Sequence, residues 1–259
     1  MRYEARRQEA FVIMVTGTEG PHTSGTIGPM KIFLLAAALC LTGCTIERPG
    51  PVQHDSQTVD RDNSESVRVN LDMGAGTLRV AGGSGKLAAA DFDYNVASWK
   101  PEVRYSSAAG HGSLTIRQPE HGSAGLGHTK YEWDVRLNRE VPLEMEAHMG
   151  AGEAHLDLGD LTLRSLDVRM GAGQLDLDLR GTPKKSYEVR VEGGVGEATI
   201  RLPSSVGVEA EVMGGIGEVS APGFHQDGHR YSNDAAASSK VIVHLDIQGG
   251  VGSVRLISD

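Results

Sequence analysis

Six segments of the chain have apolar residues at every second position, and a Gly-x-Gly sequence interrupts each of them. In the third copy, Leu166, Val168 and Met170 precede the glycines and Leu175 follows them, with polar residues such as Asp167 at the positions between. A period of two places apolar side chains on one face of a β-strand and polar ones on the other. We interpret the glycine pairs as structural turns: Gly74 and Gly76, Gly150 and Gly152, Gly171 and Gly173, Gly194 and Gly196, Gly215 and Gly217, and Gly250 and Gly252.

The four central copies follow one another at regular intervals. Their first glycines, at positions 150, 171, 194 and 215, are 21, 23 and 21 residues apart. Short strands that recur at such a period stack as rungs around a narrow apolar interior. The sequence therefore predicts an all-β fold, a repetitive β-solenoid with Gly-x-Gly turns at its corners. An antiparallel β-sandwich of hairpins is the alternative, because a Gly-x-Gly bend serves either architecture.

Residues 84–142 interrupt the repeat but keep the composition of strands. Four stretches are predicted to be strands: KLAAADFDYNV, PEVRYSS, SLTIRQ and KYEWDVRLN. The glycine-rich stretches AAGHG and PEHGSAGLGH between them indicate loops.

A lipoprotein signal precedes the repeats. Lys31 is followed by a ten-residue apolar run, residues 32–41, which is too short to span a bilayer that needs about 20 residues. This is the length of a signal-peptide core. The run ends in a sequence that matches the bacterial lipobox, whose cysteine receives a diacylglyceryl group: Leu41, Thr42, Gly43 and Cys44. We therefore expect lipidation at Cys44 and attachment to a membrane through that anchor.

This signal divides the chain into four parts. Residues 1–29 are interpreted as a misannotated N-terminal extension, 30–43 as the signal peptide, 44–65 as a polar tether and 66–259 as the repetitive β domain. An ordered arm packed on the domain is the alternative for the tether. The expected location is the bacterial cell envelope. Because Thr45 rather than aspartate follows the cysteine, the outer membrane is the expected address in a Gram-negative host.

Composition and cysteine content exclude some classes of function. The 259 residues include 34 glycines and carry a net charge of −9, which argues against nucleic acid as a partner. Signal cleavage would remove Cys40 and leave Cys44 acylated, so no thiol would remain for a disulfide, a zinc–thiolate site or a nucleophile.

Several segments resemble the toast-rack domain, the N-terminal LiaF-like family of unknown function. The resemblance covers about 66–259 and rests on FDYN at 92–95, KPEV at 100–103, WDVRLN at 133–138, PLE at 142–144, GAGE at 150–153, LDL at 156–158, PGF at 222–224 and GVG at 250–252. It implies a repetitive β fold and a non-catalytic role at the cell envelope. Some relatives act in envelope-stress regulation through membrane helices and a partner sensor kinase; this chain lacks those helices, so regulation by that route does not carry over.

Groups that could support chemistry are few, and each has a structural explanation that we prefer. The pairs Asp91/Asp93 and Asp176/Asp178 are expected on solvated strand faces. Glu153, Glu197 and Glu218 each follow a Gly-x-Gly, where stacking would align them into a ladder with Thr77, Gln174 and Ser253. The histidines considered as ligands, and interpreted as scattered surface residues, are His148, His155, His111, His121, His128, His225 and His229. We therefore expect no metal site and no cofactor.

The aromatic residues Trp99, Trp133, Tyr94 and Tyr131 are concentrated in the non-repeating part of the chain. They are predicted to close one end of the solenoid, where the first rung would otherwise expose apolar strands. Stacking on a sugar ring is the alternative.

These observations predict a lipid-anchored envelope protein whose β-solenoid is a scaffold or interaction surface, linked to adhesion or the envelope-stress response, and not an enzyme. The expected partner is an envelope protein, with a glycan as a further candidate. The alternatives are a glycan- or cation-binding module and a polysaccharide-active enzyme built on a β-helix. The enzyme would need a basic groove, and the sequence shows no Arg/Lys cluster beside the aspartate pairs.

Overall fold

The computed structural model describes residues 46–119, 123–124 and 128–259. The predicted lipobox, Leu41, Thr42, Gly43 and Cys44, lies outside the described residues, as does His121. The strands are β1 Ile46–Glu47, β2 Gln53–Val59, β3 Ser66–Gly82, β4 Ala88–Tyr94, β5 Glu102–Ala108, β6 His111–Arg117, β7 Ser123–Ala124, β8 Tyr131–Leu137, β9 Leu143–Asp157, β10 Leu163–Asp178, β11 Tyr187–Leu202, β12 Gly207–Ser220, β13 His225–Asp227, β14 Arg230–Ser232 and β15 Ile242–Ser258. Two short 3-10 turns cover Ala97–Trp99 and Asp234–Ala237.

Six long strands, one for each Gly-x-Gly copy, stack in parallel in the order β3-β9-β10-β11-β15-β12. Each bends at its glycines into a first arm and a second arm. The bend is clearest in β3, whose first arm pairs with β6 and whose second arm pairs with β8. Parallel neighbours mean that the Gly-x-Gly is a corner within one strand. The repetitive solenoid-like fold is therefore confirmed, and the sandwich of hairpins is wrong.

The two arms enclose one apolar core. In β10, Leu166, Val168 and Met170 are buried before the corner, and Leu175 and Leu177 after it. The interval from 170 to 175 is odd, so the two arms turn opposite sides of the strand toward the core. The corner turns the strand so that the alternating apolar residues of both arms face the same core.

The spatial order of the copies differs from their order in the sequence. The last strand, β15, lies between β11 and β12 and pairs with both. The β12 strand is thereby displaced to the end of the stack. Strand alternation carries no information about this exchange, because every copy presents the same face to either neighbour.

The end of the stack next to β3 is closed by two groups of strands. On the first arms, β6 pairs with β5 in a hairpin, and on the second arms the order continues through β8, β4 and β2. Strand β2, Gln53–Val59, falls inside the segment predicted to be a tether. Its seven residues pair antiparallel with β4, so this part of the segment is an ordered edge strand, which was the alternative interpretation.

Candidate functional site

The glycine pairs lie at the corners, and backbone stacking explains both members of every pair except the first, in which a β-carbon on Gly74 would meet only the Gln118 side chain. Five of the six second glycines have a positive φ, for example 125° at Gly152 and 130° at Gly173. A β-carbon on Gly152 would also overlap the carbonyl oxygen of Gly76, and one on Gly173 would overlap that of Gly152. The first glycines need only the close approach, as Gly171 does over the oxygen of Gly150. Side chains at these corners would therefore force neighbouring rungs apart.

Two further glycines, both in the segments between strands, have the same stacking role and were not found from the sequence. A β-carbon on Gly181 would overlap the carbonyl oxygen of Gly159, and one on Gly159 would overlap that of Arg180. They lie between strands rather than in a Gly-x-Gly, so the repeat pattern does not single them out.

The residues that follow the glycine pairs form one ladder across the second arms. Strand register places them in the order Thr77, Glu153, Gln174, Glu197, Ser253 and Glu218. Carboxylates and uncharged residues alternate, so neighbouring glutamates are two strands, or about 10 Å, apart. The position of β15 produces this alternation at one end, because it inserts Ser253 between Glu197 and Glu218. The ladder is therefore arranged to separate like charges rather than to gather them around a cation.

The outer face of the first arms forms a broad groove of about 980 Å³, bordered by the β13–β14 ribbon. Eight carboxylates and three arginines line it; they are Glu144, Glu146, Asp167, Glu188, Glu209, Glu211, Asp227 and Asp246, with Arg68, Arg190 and Arg230. Some are paired: Arg68 lies 3.1 Å from Glu144, and Arg190 lies 3.7 Å from Asp246. The excess of carboxylates gives this surface, which we call the first-arm groove, a negative charge.

Asp91 and Asp93 share one strand face, as the sequence predicts, but β2 fills the space beside them. His54 Nδ1 lies 2.7 Å from Asp93 Oδ1, and the Lys130 ammonium lies 3.1 Å from Asp93 Oδ2. The bond from His54, with Lys130, lowers the pKa of Asp93, and the same bond raises that of His54. Asp93 is thus engaged by His54 and the Lys130 ammonium rather than open to a metal ion.

Ser56 completes this cluster on β2. Its hydroxyl donates to Asp91 Oδ1 at 2.6 Å and lies 3.4 Å from His54 Nε2. A serine, a histidine and an aspartate are therefore adjacent. Because the hydroxyl proton is directed to Asp91, the histidine is not placed to activate Ser56 as a nucleophile in this arrangement.

The second aspartate pair is also in contact with neighbouring side chains. His155 Nδ1 lies 3.2 Å from Asp176. Arg180 lies 2.6 Å from Asp178 Oδ2. Burial alone would raise the pKa of Asp178, but the bonds from Arg180 hold it below its usual value. These carboxylates bind neighbouring side chains across and along the strands.

The histidines are dispersed over the described surface. His111 Nδ1 is 3.0 Å from Ser66 Oγ, and His225 Nε2 is 2.6 Å from Asp234 Oδ1. His148 lies in β9 on the outer face of the first arms, His128 precedes β8, and His229 lies in the turn between β13 and β14. Within the described ranges, no group of three or more His, Cys, Asp or Glu side chains could hold a metal ion.

The aromatic residues pack into the end of the stack next to β3. Trp133 contacts Phe92 edge-on at 5.6 Å between ring centroids and Tyr131 at 5.7 Å. Trp133, Tyr131 and Tyr94 are buried and Trp99 is half-buried. Tyr131 donates its hydroxyl to the Trp99 carbonyl at 2.8 Å, and burial raises the pKa of Tyr131. Side chains in this position close the core, and Trp99 is the one of these four that is not fully buried.

Buried asparagines next to these aromatics hold the surrounding loops. The Asn138 side chain donates to the Lys86 carbonyl at 3.0 Å and accepts from the Glu140 amide at 3.0 Å. Asn95 likewise donates to the His128 carbonyl and accepts from the Lys130 amide. The residues that carried the family resemblance at 92–95 and 133–138 therefore build the closed end of the stack.

The opposite end of the stack is less completely covered, a feature that sequence reasoning missed. Strand β14 pairs with β12 only at Glu209, Ala210 and Glu211. In the part of the chain that the structure describes, no strand pairs with residues 214–220 on the side away from β15. The signal in the sequence was present but ambiguous, because Val219 occupies the same position of the repeat as the core residue Leu175.

A membrane-spanning helix is not found in the described part of the chain, where no helix has the length and apolar content needed to cross a bilayer.

Comparison with known proteins shows which family this chain belongs to. Residues 48–201 match the family described as the N-terminal domain of toast_rack, DUF2154. The match spans more than half of the chain, so this protein belongs to the toast-rack family. No significant match was found among curated protein sequences.

One solved structure is similar to this chain in both fold and sequence. The crystal structure of a candidate cell adhesion protein from Clostridium sporogenes is 35% identical, with a TM-score of 0.78, over 81% of this chain and 100% of that one. Candidate adhesins from Bacteroides fragilis and Parabacteroides distasonis are 11% and 12% identical, over 81% and 82% of this chain and 99% of each of theirs. Their TM-scores of 0.30 and 0.29 are too low to support an argument.

Proposed function

We propose that this chain is a lipid-anchored protein of the bacterial cell envelope whose toast-rack domain is a non-catalytic scaffold for contact with another envelope or cell-surface protein. The observation that carries the proposal is the contrast between the two sides of the first arms. Their inner side is filled with apolar side chains, while their outer side is a groove of about 980 Å³ lined by charged residues. Such a surface suits contact with a macromolecule better than enclosure of a small substrate.

The structural relative supports a contact role. The Clostridium sporogenes protein is described as a candidate cell adhesion protein, and its whole length aligns with this chain. Adhesion is therefore the form of contact that we propose. Cation binding has less support, because Asp93 and Asp178 form ion pairs with Lys130 and Arg180. Glycan binding has less support, because most of the candidate aromatic side chains are buried.

The anchor is tested by metabolic labelling with an alkyne fatty acid in a bacterial host. The wild-type chain should be labelled and should sediment with membranes, and Cys44→Ala should lose both properties. Cys40→Ala is the matched control, because this residue lies in the predicted signal peptide and should leave labelling unchanged. An unlabelled wild-type chain in the soluble fraction would refute the anchor.

The contact role is tested by placing a photo-crosslinking amino acid at position 188, in the first-arm groove. Thr199, on the outer face of the second arms, is the matched control position. The proposal expects one envelope or surface protein, identified by mass spectrometry, at position 188 and not at position 199. If neither position gives an adduct in living cells, or both give the same one, the groove is not the contact surface.

A further inference from the structure

The open end of the stack has a free strand edge. Strand β12 pairs with β15 along residues 207–220, and β14 covers only residues 209–211 on its other side. The second arm of β12 therefore presents backbone groups that no other strand in the described ranges satisfies. Natural sheets usually protect such an edge, since it is a template for another strand.

Apolar side chains are exposed around this edge. The inward position after the corner is occupied by Leu175 in β10, which is 3% exposed, and by Val219 in β12, which is 39% exposed. Met213 is also exposed but lies at an outward position, and the exposed Val195 and Val251 are middle residues of Gly-x-Gly corners, so Val219 is the inward side chain that the stack leaves uncovered. The core is thus incomplete where the stack ends.

An apolar cleft lies inside the corner at the same end. Its volume is about 240 Å³, and the inward side chains of the last rungs line it, among them Val191, Val212, Val219, Ile247 and Val254. The β13–β14 ribbon and the turn Asp234–Ala237 lie on the first-arm side of β12 and leave the second arm uncovered. An added strand would place its own inward side chain over this cleft, as each internal rung does for its neighbour.

The corner limits which strand can be added. A β-carbon on Gly217 would overlap the carbonyl oxygen of Gly252, and one on Gly252 would overlap that of Gly196. The same relationship recurs at each step of the stack. A strand that continues the stack beyond Gly217 therefore needs glycine at the equivalent position.

The charge ladder limits the next residue. Glu218 is the last member of the alternation, after Glu197 and Ser253. A carboxylate in the added strand would lie about 4.8 Å from Glu218 across the ladder, where like charges are unfavourable. An uncharged or basic residue continues the pattern. The net charge of −9 also disfavours a second copy of this chain as the occupant.

We propose that the open edge of β12 binds an extended segment of a partner protein by strand addition. The segment carries Gly-x-Gly, then an uncharged or basic residue, then an apolar residue that covers the cleft. Backbone hydrogen bonds supply affinity and the glycine and apolar positions supply selectivity. This inference rests on the proposed contact function and names a partner class and a surface for it.

The test measures binding of a labelled synthetic peptide to the full chain by fluorescence anisotropy. The peptide has the sequence of Asp246–Ser258, DIQGGVGSVRLIS, which contains the required pattern. Two control peptides carry alanine in place of the glycine equivalent to Gly252, or glutamate in place of the serine equivalent to Ser253. Binding of the first peptide, with each control weaker by about tenfold or more, is expected. Equal binding of all three peptides, or no binding of the first at millimolar concentration, overturns the proposal.

Protein variants locate the binding surface. Val219→Asp should weaken peptide binding by about tenfold, because it charges the rim of the cleft. Val52→Asp, at an apolar residue 54% exposed and remote in the strand order from β12, should leave it unchanged. Thermal melting of both variants checks folding. If peptide binding is the same in both, the peptide does not bind at β12.

Analytical ultracentrifugation tests the alternative that a second copy of this chain occupies the β12 edge. A dimer of the full chain that Val219→Asp dissociates would identify a second copy at this edge and overturn the partner-strand proposal.

Failure of the β12 binding site and failure of the proposed contact function give different results. A crosslink at position 188 without peptide binding retains a contact protein and discards the β12 site, whereas peptide binding without that crosslink discards the first-arm groove.

Discussion

Gly196 is stacked so closely on Gly173 that a β-carbon at position 196 would overlap the Gly173 carbonyl oxygen. Gly196 also has a φ of 149°. We predict that Gly196→Ala lowers the free energy of unfolding by at least about 2 kcal/mol, because the substitution adds both backbone strain and a clash with the next rung. Urea denaturation of the full chain measures this change.

Gly193 provides the matched control within the same strand. A β-carbon there would have no atom within 4 Å. Gly193→Ala should therefore leave stability unchanged or raise it by a few tenths of a kcal/mol, since alanine restricts the unfolded chain. Equal effects of the two substitutions would contradict the stacking explanation.

The glutamate ladder gives a prediction that depends on the place of β15 in the stack. Ser253→Glu would place three carboxylates side by side, with Glu197 and Glu218 as its neighbours. The expected loss of stability is about 1 kcal/mol at low salt, and 1 M salt should remove most of it by screening. Thermal melting at both salt concentrations measures the difference.

Ser253→Gln is the control for this prediction, because it adds bulk without charge. It should melt close to the wild type at either salt concentration. If Ser253→Glu is no less stable than Ser253→Gln at low salt, the charges on the ladder are not coupled through β15.

Much of this architecture follows from local patterns in the sequence. The alternation around each Gly-x-Gly predicts the long strands, and the four strand-like stretches of residues 84–142 all form strands. The insertion of β15 between β11 and β12 could not be predicted in this way. Each rung has the same inward and outward sides. The observed order β11-β15-β12 therefore differs from the sequential order β11-β12-β15 only in side-chain pairs such as Glu197 with Ser253. Such pairs become visible only once the register is known.

The candidate sites were harder to predict for a related reason. Asp91 and Asp93 lie on one strand face as expected, but their partner His54 comes from a segment with no strong apolar alternation. The pairing of β2 depends on a long-range contact with β4 rather than on its own composition. The open edge of β12 was equally hidden, because Val219 occupies a core position of the repeat and is exposed only because the stack ends there.

Asn233 fastens the first-arm side of the open end. Its buried side chain accepts a hydrogen bond from the Val208 amide at 2.9 Å and donates one to the Val206 carbonyl at 2.9 Å. Asn233→Ala should lower the free energy of unfolding by about 2 to 3 kcal/mol, because two backbone groups lose their partner. Asn70→Ala, at a half-buried residue on the outer face of β3, should cost much less. Similar losses for both variants in urea denaturation would contradict this role of Asn233.

The contact between His54 and Asp93 predicts how pH acts on β2. The hydrogen bond to Asp93 raises the pKa of the exposed His54 above its ordinary value of 6.5. A raised folded-state pKa means that protonation favours the docked strand. This contribution is fully present below pH 6.5 and is lost as the pH rises through the folded-state pKa of His54.

Two measurements check this pH dependence. NMR titration of the His54 ring should give a pKa above 6.5 in the wild type, and Asp93→Asn should lower it. Amide hydrogen exchange of β2, corrected for the intrinsic effect of pH, should show weaker protection above the His54 pKa than below it. Because His54 is exposed, the effect should be confined to β2 and should leave the global melting temperature nearly constant. A wild-type pKa at or below 6.5, or protection of β2 that does not change across the titration, would show that this ion pair does not hold the strand.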